Sequence, residues 1–302
     1  MAGTREQEVE AGGLRFETLV GGPEDGEPVL LLHGYPQSNG SWRETVDWLA
    51  GRGYRAIAPN LRGYSPGANP RDAAEYAMRA LVGDVTGIAD SLGVDRFHLV
   101  GHDWGGALAW AVASAHPDRL LSLTVLSTPH PAALLEALRT STQLLRSSYM
   151  GFFKVPRVPE LVLSAANFAQ LGLSVRATGL PREAWERDRA QLERVGLRGP
   201  LNWYRGATRS SGGGRQRRIA VPTLFIWGHR DPFLGRRAAE LTEKWVGSQY
   251  HFAEIDAGHW IAENNSTELQ LLLGNHLAEH PASPAPQSAR AAPRRPRPRR
   301  PA

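Results

Sequence analysis

The sequence predicts an α/β fold, a mostly parallel, doubly wound sheet with an inserted helical cap. Three observations carry this prediction. Short all-apolar runs, such as Val29-Leu30-Leu31-Leu32 and Leu224-Phe225-Ile226-Trp227, alternate with longer helical stretches; such runs are expected of parallel strands buried on both faces. One of them, Phe97-His98-Leu99-Val100, passes through Gly101-His102-Asp103-Trp104-Gly105-Gly106 into the apolar, Ala-rich stretch 107–113, a strand, tight turn and helix in succession. Between residues 129 and 220 the buried-strand pattern lapses, and roughly 90 residues is too long for a plain loop.

In chain order, residues 14–20 alternate loosely and are expected to form an edge strand. Gly21-Gly22-Pro23-Glu24-Asp25-Gly26 signals a turn. The buried run 29–32 feeds His33-Gly34-Tyr35-Pro36. A helix is expected over 41–51, with Ser41 as N-cap and Glu44 three residues on, a capping-box pattern. Residues 55–58 give a short strand stopped by Pro59, and 73–92 read as one helix stopped by Gly93. After the elbow helix, which ends at His116-Pro117, residues 121–126 form a strand. Strands resume over 222–228 and 250–255, and a helix over 266–278 closes the fold. The sheet-bearing α/β core is thus expected in two segments, residues 1–128 and 221–280, with a helical cap over 129–220 between them and a Pro/Arg-rich tail over 281–302. The tail has too few apolar residues to pack and is expected to be disordered. Gly212-Gly213-Gly214, flanked by arginines, is expected to be a solvated loop.

Composition excludes several function classes. No run approaches the ~18 apolar residues of a membrane span. The polar, acid-containing start MAGTREQEVEAGG reads as neither secretory signal nor transit peptide. The chain has no cysteine, which excludes disulfides, thiolate metal sites and a cysteine nucleophile. Both features fit a cytoplasmic protein. The formal charge of +5 comes from six arginines in 281–302; without them 29 basic residues face 30 acidic ones, a net of −1. The folded body therefore has no electrostatic case for binding nucleic acid.

The elbow carries the chemistry. A nucleophile elbow usually reads G-x-S-x-G; here Asp103 stands in the serine's place. A serine attacks acyl carbon, whereas a carboxylate attacks saturated carbon and forms an ester that water can then open. The glycines around it are expected to serve the sharp turn, where little room is left for Cβ atoms and φ is positive. The ester needs a base to activate water, and the base needs an orienting acid. Hydrolases of this architecture order these groups nucleophile, acid, histidine. Asp231, in Gly228-His229-Arg230-Asp231-Pro232, and His259, in Asp256-Ala257-Gly258-His259-Trp260, supply that order, each just past a strand.

Over residues 14–278 the chain resembles the epoxide hydrolases of the α/β-hydrolase fold. His33-Gly34-Tyr35-Pro36 resembles that family's H-G-x-P motif, 101–106 its aspartate elbow, and Gly258-His259-Trp260 its histidine segment. The resemblance implies an oxyanion hole made by the backbone N–H groups of Tyr35 and Trp104. It also implies two cap tyrosines that donate to the epoxide oxygen. The segment 199–205 points to Tyr204 and the segment 149–156 to Tyr149. The implied catalytic set is Asp103, Asp231, His259, Tyr149 and Tyr204, acting on a lipophilic epoxide and water with no cofactor and no metal. Asn60, in Asn60-Leu61-Arg62-Gly63, departs from the family's usual aspartate and is expected to affect loop stability rather than chemistry. His33 and Arg62 are expected to orient loops. His102, His229 and His251 show no partner pattern. Phe152, Phe153, Phe168 and Trp185 are expected to pack the cap, some lining the pocket.

Two other readings compete. A haloalkane dehalogenase would use the same aspartate ester, and Trp104 fits both, but Tyr35 stands where dehalogenases often carry a halide-binding Asn. A dehalogenase of fluorinated acids typically has Arg after the nucleophile, not Trp104. An esterase is disfavoured because the elbow lacks serine. From a different class, a non-catalytic small-molecule-binding protein on this fold would not need Asp103, Asp231 and His259 together.

Overall fold

The computed structural model describes residues 3–207 and 218–282. The expected glycine loop 212–214 and nearly all of the tail lie outside them. Eight strands form one sheet: β1 (Arg5–Ala11), β2 (Leu14–Gly21), β3 (Pro28–Leu32), β4 (Arg55–Pro59), β5 (Phe97–His102), β6 (Leu120–Leu126), β7 (Thr223–Gly228) and β8 (Tyr250–Ile255). Their order is β1-β2-β4-β3-β5-β6-β7-β8. The β1–β2 and β2–β4 pairs are antiparallel; every other pair is parallel. β5, β6 and β7 are buried at every residue, including the polar His98 of β5 and Ser122 and Thr124 of β6, as strands covered on both faces are.

The twelve α-helices are α1 (Arg43–Ala50), α2 (Met78–Ser91), α3 (Trp104–Ala115), α4 (Pro131–Thr140), α5 (Gln143–Arg146), α6 (Tyr149–Lys154), α7 (Val158–Ala177), α8 (Arg182–Val195), α9 (Arg198–Asn202), α10 (Arg236–Leu241), α11 (Ile261–Asn264) and α12 (Ser266–Glu279). One face of the sheet packs α2 and α3 through Leu81, Val85, Leu108 and Val112. The other packs α1, α11 and α12 through Val46, Leu49, Ile261, Leu269 and Leu273. Helices α4 to α9 fill the chain between β6 and β7. The larger core cluster runs on into this layer through Leu163, Leu171, Val175 and Leu192. α7 meets the length and composition of a membrane span only as an interrupted helix: Ala165–Phe168 leave helical geometry, three of them at positive φ, and a third of the segment is buried in the fold.

Three local expectations are corrected. Residues 14–20 form the second strand, not the edge; β1 lies outside them, joined through Gly12 and Gly13, whose φ values of 58° and 77° suit a two-residue hairpin turn. The sequence of β1, Arg-Glu-Gln-Glu-Val-Glu-Ala, is polar on its open face and buries only Val9 and Ala11. The capping box at Ser41 does not form. The Ser41 hydroxyl donates to the Ser38 carbonyl at 2.8 Å inside a 3₁₀ turn, and α1 starts at Arg43 without a side-chain cap. The helix expected over 73–92 breaks at Ala77, where ψ is 139°; a 3₁₀ turn (Ala73–Tyr76) precedes α2.

Candidate active site

Consecutive strands β3 and β4 lie to one side and β5 to the other, so a topological switch point opens between β3 and β5, beyond the strand ends where such sheets place ligands. Tyr35 follows β3, Asp103 follows β5, Asp231 follows β7 and His259 follows β8. All four therefore gather at one edge of the sheet.

The elbow differs from expectation in where its strain lies. The positive φ belongs to Asp103 itself, at φ 51° and ψ −119°, a conformation that costs a non-glycine residue about 1–3 kcal/mol. The flanking glycines instead permit close approach. A Cβ on Gly105 would meet the Leu32 carbonyl oxygen at 2.2 Å, and one on Gly34 would meet the Asp103 Cβ at 2.3 Å. With nothing between them, the Tyr35 N–H reaches Asp103 Oδ1 at 2.8 Å. The Trp104 N–H, the second expected donor, opens α3 beside the carboxylate but makes no cap hydrogen bond with it in this arrangement.

His259 stands between two carboxylates. Its Nδ1 lies 2.8 Å from Asp231 Oδ2, and its Nε2 lies 3.6 Å from Asp103 Oδ2. Asp231 is fully buried at its side chain, and its other oxygen accepts from the Phe233 and Leu234 N–H groups at 2.7 and 3.0 Å. Burial alone would discharge the His259 ring, but the Asp231 charge and the bonds to Asp103 and Asp231 outweigh it and raise its pKa well above the usual histidine value. Burial likewise works against ionised Asp103, yet His259 and the Tyr35 N–H hold its carboxyl below the usual range. The resting pair is therefore a carboxylate facing an imidazolium.

A cavity of about 290 Å³ lies over Asp103. Tyr149, the first residue of α6, and Tyr204, in a π-helical turn over Trp203–Ala207, both line it with Asp103 and His259. The tyrosine rings meet edge to face at 6.4 Å between centroids. The Trp104 and Tyr204 rings meet edge to face at 4.9 Å between centroids. Burial raises the pKa of both phenols, so both stay protonated. Phe152, Phe153, Leu163, Leu171 and Val175 supply apolar wall. Of the four aromatics expected in the cap, Phe152 and Phe153 line the cavity, whereas Phe168 and Trp185 are buried in the packing behind it.

Several contributions were not legible beforehand. His102 is no ordinary histidine: it is buried, its Nε2 sits 2.9 Å from the His259 carbonyl oxygen, and the two rings lie 4.8 Å apart. Phe233 packs edge-on to the His259 ring at 4.9 Å. The Tyr35 side chain also lines the cavity, with no hydrogen-bond partner for its buried hydroxyl among the described residues. Neighbouring sequence offered only adjacency, His102 beside Asp103 and Phe233 two residues after Asp231. His33 and Arg62 hold loops. His33 Nε2 accepts from the Leu61 N–H at 3.0 Å, and Arg62 forks onto Asp84 at 2.6 and 2.7 Å. Asn60 has a physical reason: its carbonyl accepts from the Asn39 N–H at 2.8 Å while its amide donates to the Glu17 carboxylate at 3.2 Å. An aspartate there would turn that donor into a second anion.

The sequence model of the alpha/beta hydrolase fold family matches residues 27–266. Epoxide hydrolase 4 of Mus musculus is 34% identical over 280 residues, which cover 88% of this chain and 77% of that protein. Epoxide hydrolase A of Mycobacterium tuberculosis is 30% identical over 316 residues, covering 90% and 97%. The crystal structure of epoxide hydrolase A from Mycobacterium thermoresistibile superposes with a TM-score of 0.80 at 26% identity, over 91% of this chain and 98% of that one. An elbow bearing aspartate, an eight-stranded sheet of this order and kinship along most of the chain agree: the protein belongs to the α/β-hydrolase fold family, among its epoxide hydrolases.

Proposed function

We propose that the protein converts a lipophilic epoxide and water to a vicinal diol through a covalent ester on Asp103. The observation that carries this reading is that Asp103 shares one largely apolar cavity with two cap tyrosines, Tyr149 and Tyr204. Ring opening needs a nucleophile on carbon and a donor on oxygen at once, and the leaving alkoxide stays tethered to the product.

Asp103 Oδ1 is held by the Tyr35 N–H, so Oδ2 is the oxygen free to attack. The C–O bond of the epoxide breaks as the Oδ2–C bond forms, and Tyr149 or Tyr204 gives its proton to the alkoxide. The ester carbonyl is then Oδ1, already in its donor site. His259, oriented by Asp231, takes a proton from water as the water attacks Cγ. The tetrahedral oxyanion collapses by breaking the Cγ–Oδ2 bond: the diol leaves with Oδ2 and takes the proton held by His259, and the remaining carboxyl, made of Oδ1 and the water oxygen, passes its proton back to His259. The proton that His259 sheds when the ester forms restores the tyrosine.

Charge favours this order. Esterification of Asp103 removes one of the two anions that keep His259 protonated. Its pKa falls, and the ring becomes a base only when an ester is present. The apolar wall favours lipophilic or aromatic epoxides. The dehalogenase reading leaves Tyr149 and Tyr204, which line the cavity with Asp103, without a role, because a leaving halide needs no phenol donor.

The test is intact-protein mass of His259→Gln after styrene oxide and, separately, 1-bromobutane, with Asp103→Ala as control. An adduct of the full epoxide mass, absent from the control, is expected. An alkyl adduct from the bromide alone would move the assignment to dehalogenase, and no adduct from either would favour a binding role.

A further inference from the structure

Away from this cavity, near the start of β8, lies a second cluster of chemistry-bearing side chains. His276 and Glu279 are three residues apart in α12, and so lie on one helix face. His251 of edge strand β8 faces them. One donor atom from each of these three side chains lies within 4.8 Å of the others.

His276 is the feature that calls for explanation. It is only 3% exposed, and neither ring nitrogen has a hydrogen-bond partner among the described residues. A ring so buried normally has its polar atoms satisfied. His251 and Glu279 are exposed, and each is bridged only by the Gln249 amide, at 3.3 and 3.4 Å. Those are long contacts that an ion would replace.

We propose that His251, His276 and Glu279 form a binding site for a divalent transition-metal ion of the zinc class, one that straps the C-terminal helix to the edge of the sheet. Two imidazoles and one carboxylate suit such an ion, and a water or the adjacent His280, whose ring centroid is 4.9 Å from that of His276, completes a tetrahedron. Ligand atoms around zinc are about 3.3 Å apart, so small rotations of the two exposed side chains close the set. The site has no part in ring opening. It lies at the opposite end of β8 from His259.

The full chain, stripped with a chelator and dialysed against zinc chloride at neutral pH, tests this. His251→Ala and Glu279→Gln change exposed side chains and leave the core intact. His229→Ala, at a histidine paired with Asp256 elsewhere on the surface, controls for casual histidine binding. One zinc per chain is expected for the unmodified protein and for His229→Ala. Affinity should weaken at least about tenfold in the other two variants. Zinc should raise the melting temperature of the unmodified protein and not of those two variants. Absence of bound zinc at tens of micromolar, or equal binding and equal thermal response in all four proteins, would overturn the proposal.

Discussion

Replacing Gly34 by alanine tests the link between loop packing and nucleophile. The added Cβ would lie 2.3 Å from the Asp103 Cβ, 2.7 Å from Oδ1 and 2.9 Å from Cγ. Carbon atoms rest about 3.5 Å apart, so the loop and the carboxylate must separate by about 1.2 Å. The Tyr35 N–H to Oδ1 bond starts at 2.8 Å and would open beyond hydrogen-bond length. A hydrogen bond to a charged group contributes about 1.5–3 kcal/mol, which corresponds to a rate loss of about ten- to 150-fold. The sign on pH follows: this bond helps hold the Asp103 carboxyl low, so its loss moves the acid limb of ester formation to higher pH. Single-turnover ester formation, followed by quench and intact mass, reads both. Gly83→Ala is the control, since a Cβ there meets nothing within 4 Å. A folded Gly34→Ala protein that forms ester at the unmodified rate and with the same acid limb would refute the reasoning.

Tyr204→Phe should slow ring opening about a hundredfold, with a further loss when Tyr149→Phe is added; unchanged single-turnover rates in the double variant would remove the tyrosines from the mechanism. Acidification should raise the fraction of enzyme present as ester during steady turnover. Asp103 is held ionised toward low pH, whereas His259 in the ester state has lost one of the anions that charge it and titrates first; an ester fraction that falls with acidification would contradict this. Asp84→Asn should cost about 3–5 kcal/mol of stability by leaving the buried Arg62 guanidinium half-paired. The urea midpoint reads that loss, and a midpoint equal to the unmodified protein's would show that the pair does not hold this loop.

Legibility in the sequence followed burial. The runs of β3, β5, β6 and β7 stood out because strands covered on both faces must be apolar at nearly every position. β1 did not, because an edge strand with one open face can be built from Arg, Glu and Gln with only Val9 and Ala11 turned inward. The break at Ala77 carries no proline or glycine to announce it. Asp103, Asp231 and His259 were legible because each terminates a recognisable strand in the expected order. The two tyrosines were legible only through resemblance, since a π-turn at Tyr204 leaves no periodicity to read. The wall from α7 was hidden, because its pocket-facing Leu163, Leu171 and Val175 do not form a sharp apolar stripe.

The strained elbow makes chemical sense once the two half-reactions are taken together. With φ at 51°, Asp103 presents Oδ1 to the Tyr35 N–H and Oδ2 toward His259. In the proposed reaction, attack through Oδ2 would leave Oδ1 as the ester carbonyl in the position where oxyanion charge next develops. No rotation of the side chain would be needed between the steps, so the donor that orders the nucleophile in the first step would stabilise the intermediate in the second. A freely rotating carboxylate would have to be ordered twice. The conformational cost at Asp103, about 1–3 kcal/mol, is comparable to what one charge-assisted hydrogen bond contributes, and it is met by a loop whose approach only glycine at position 34 allows.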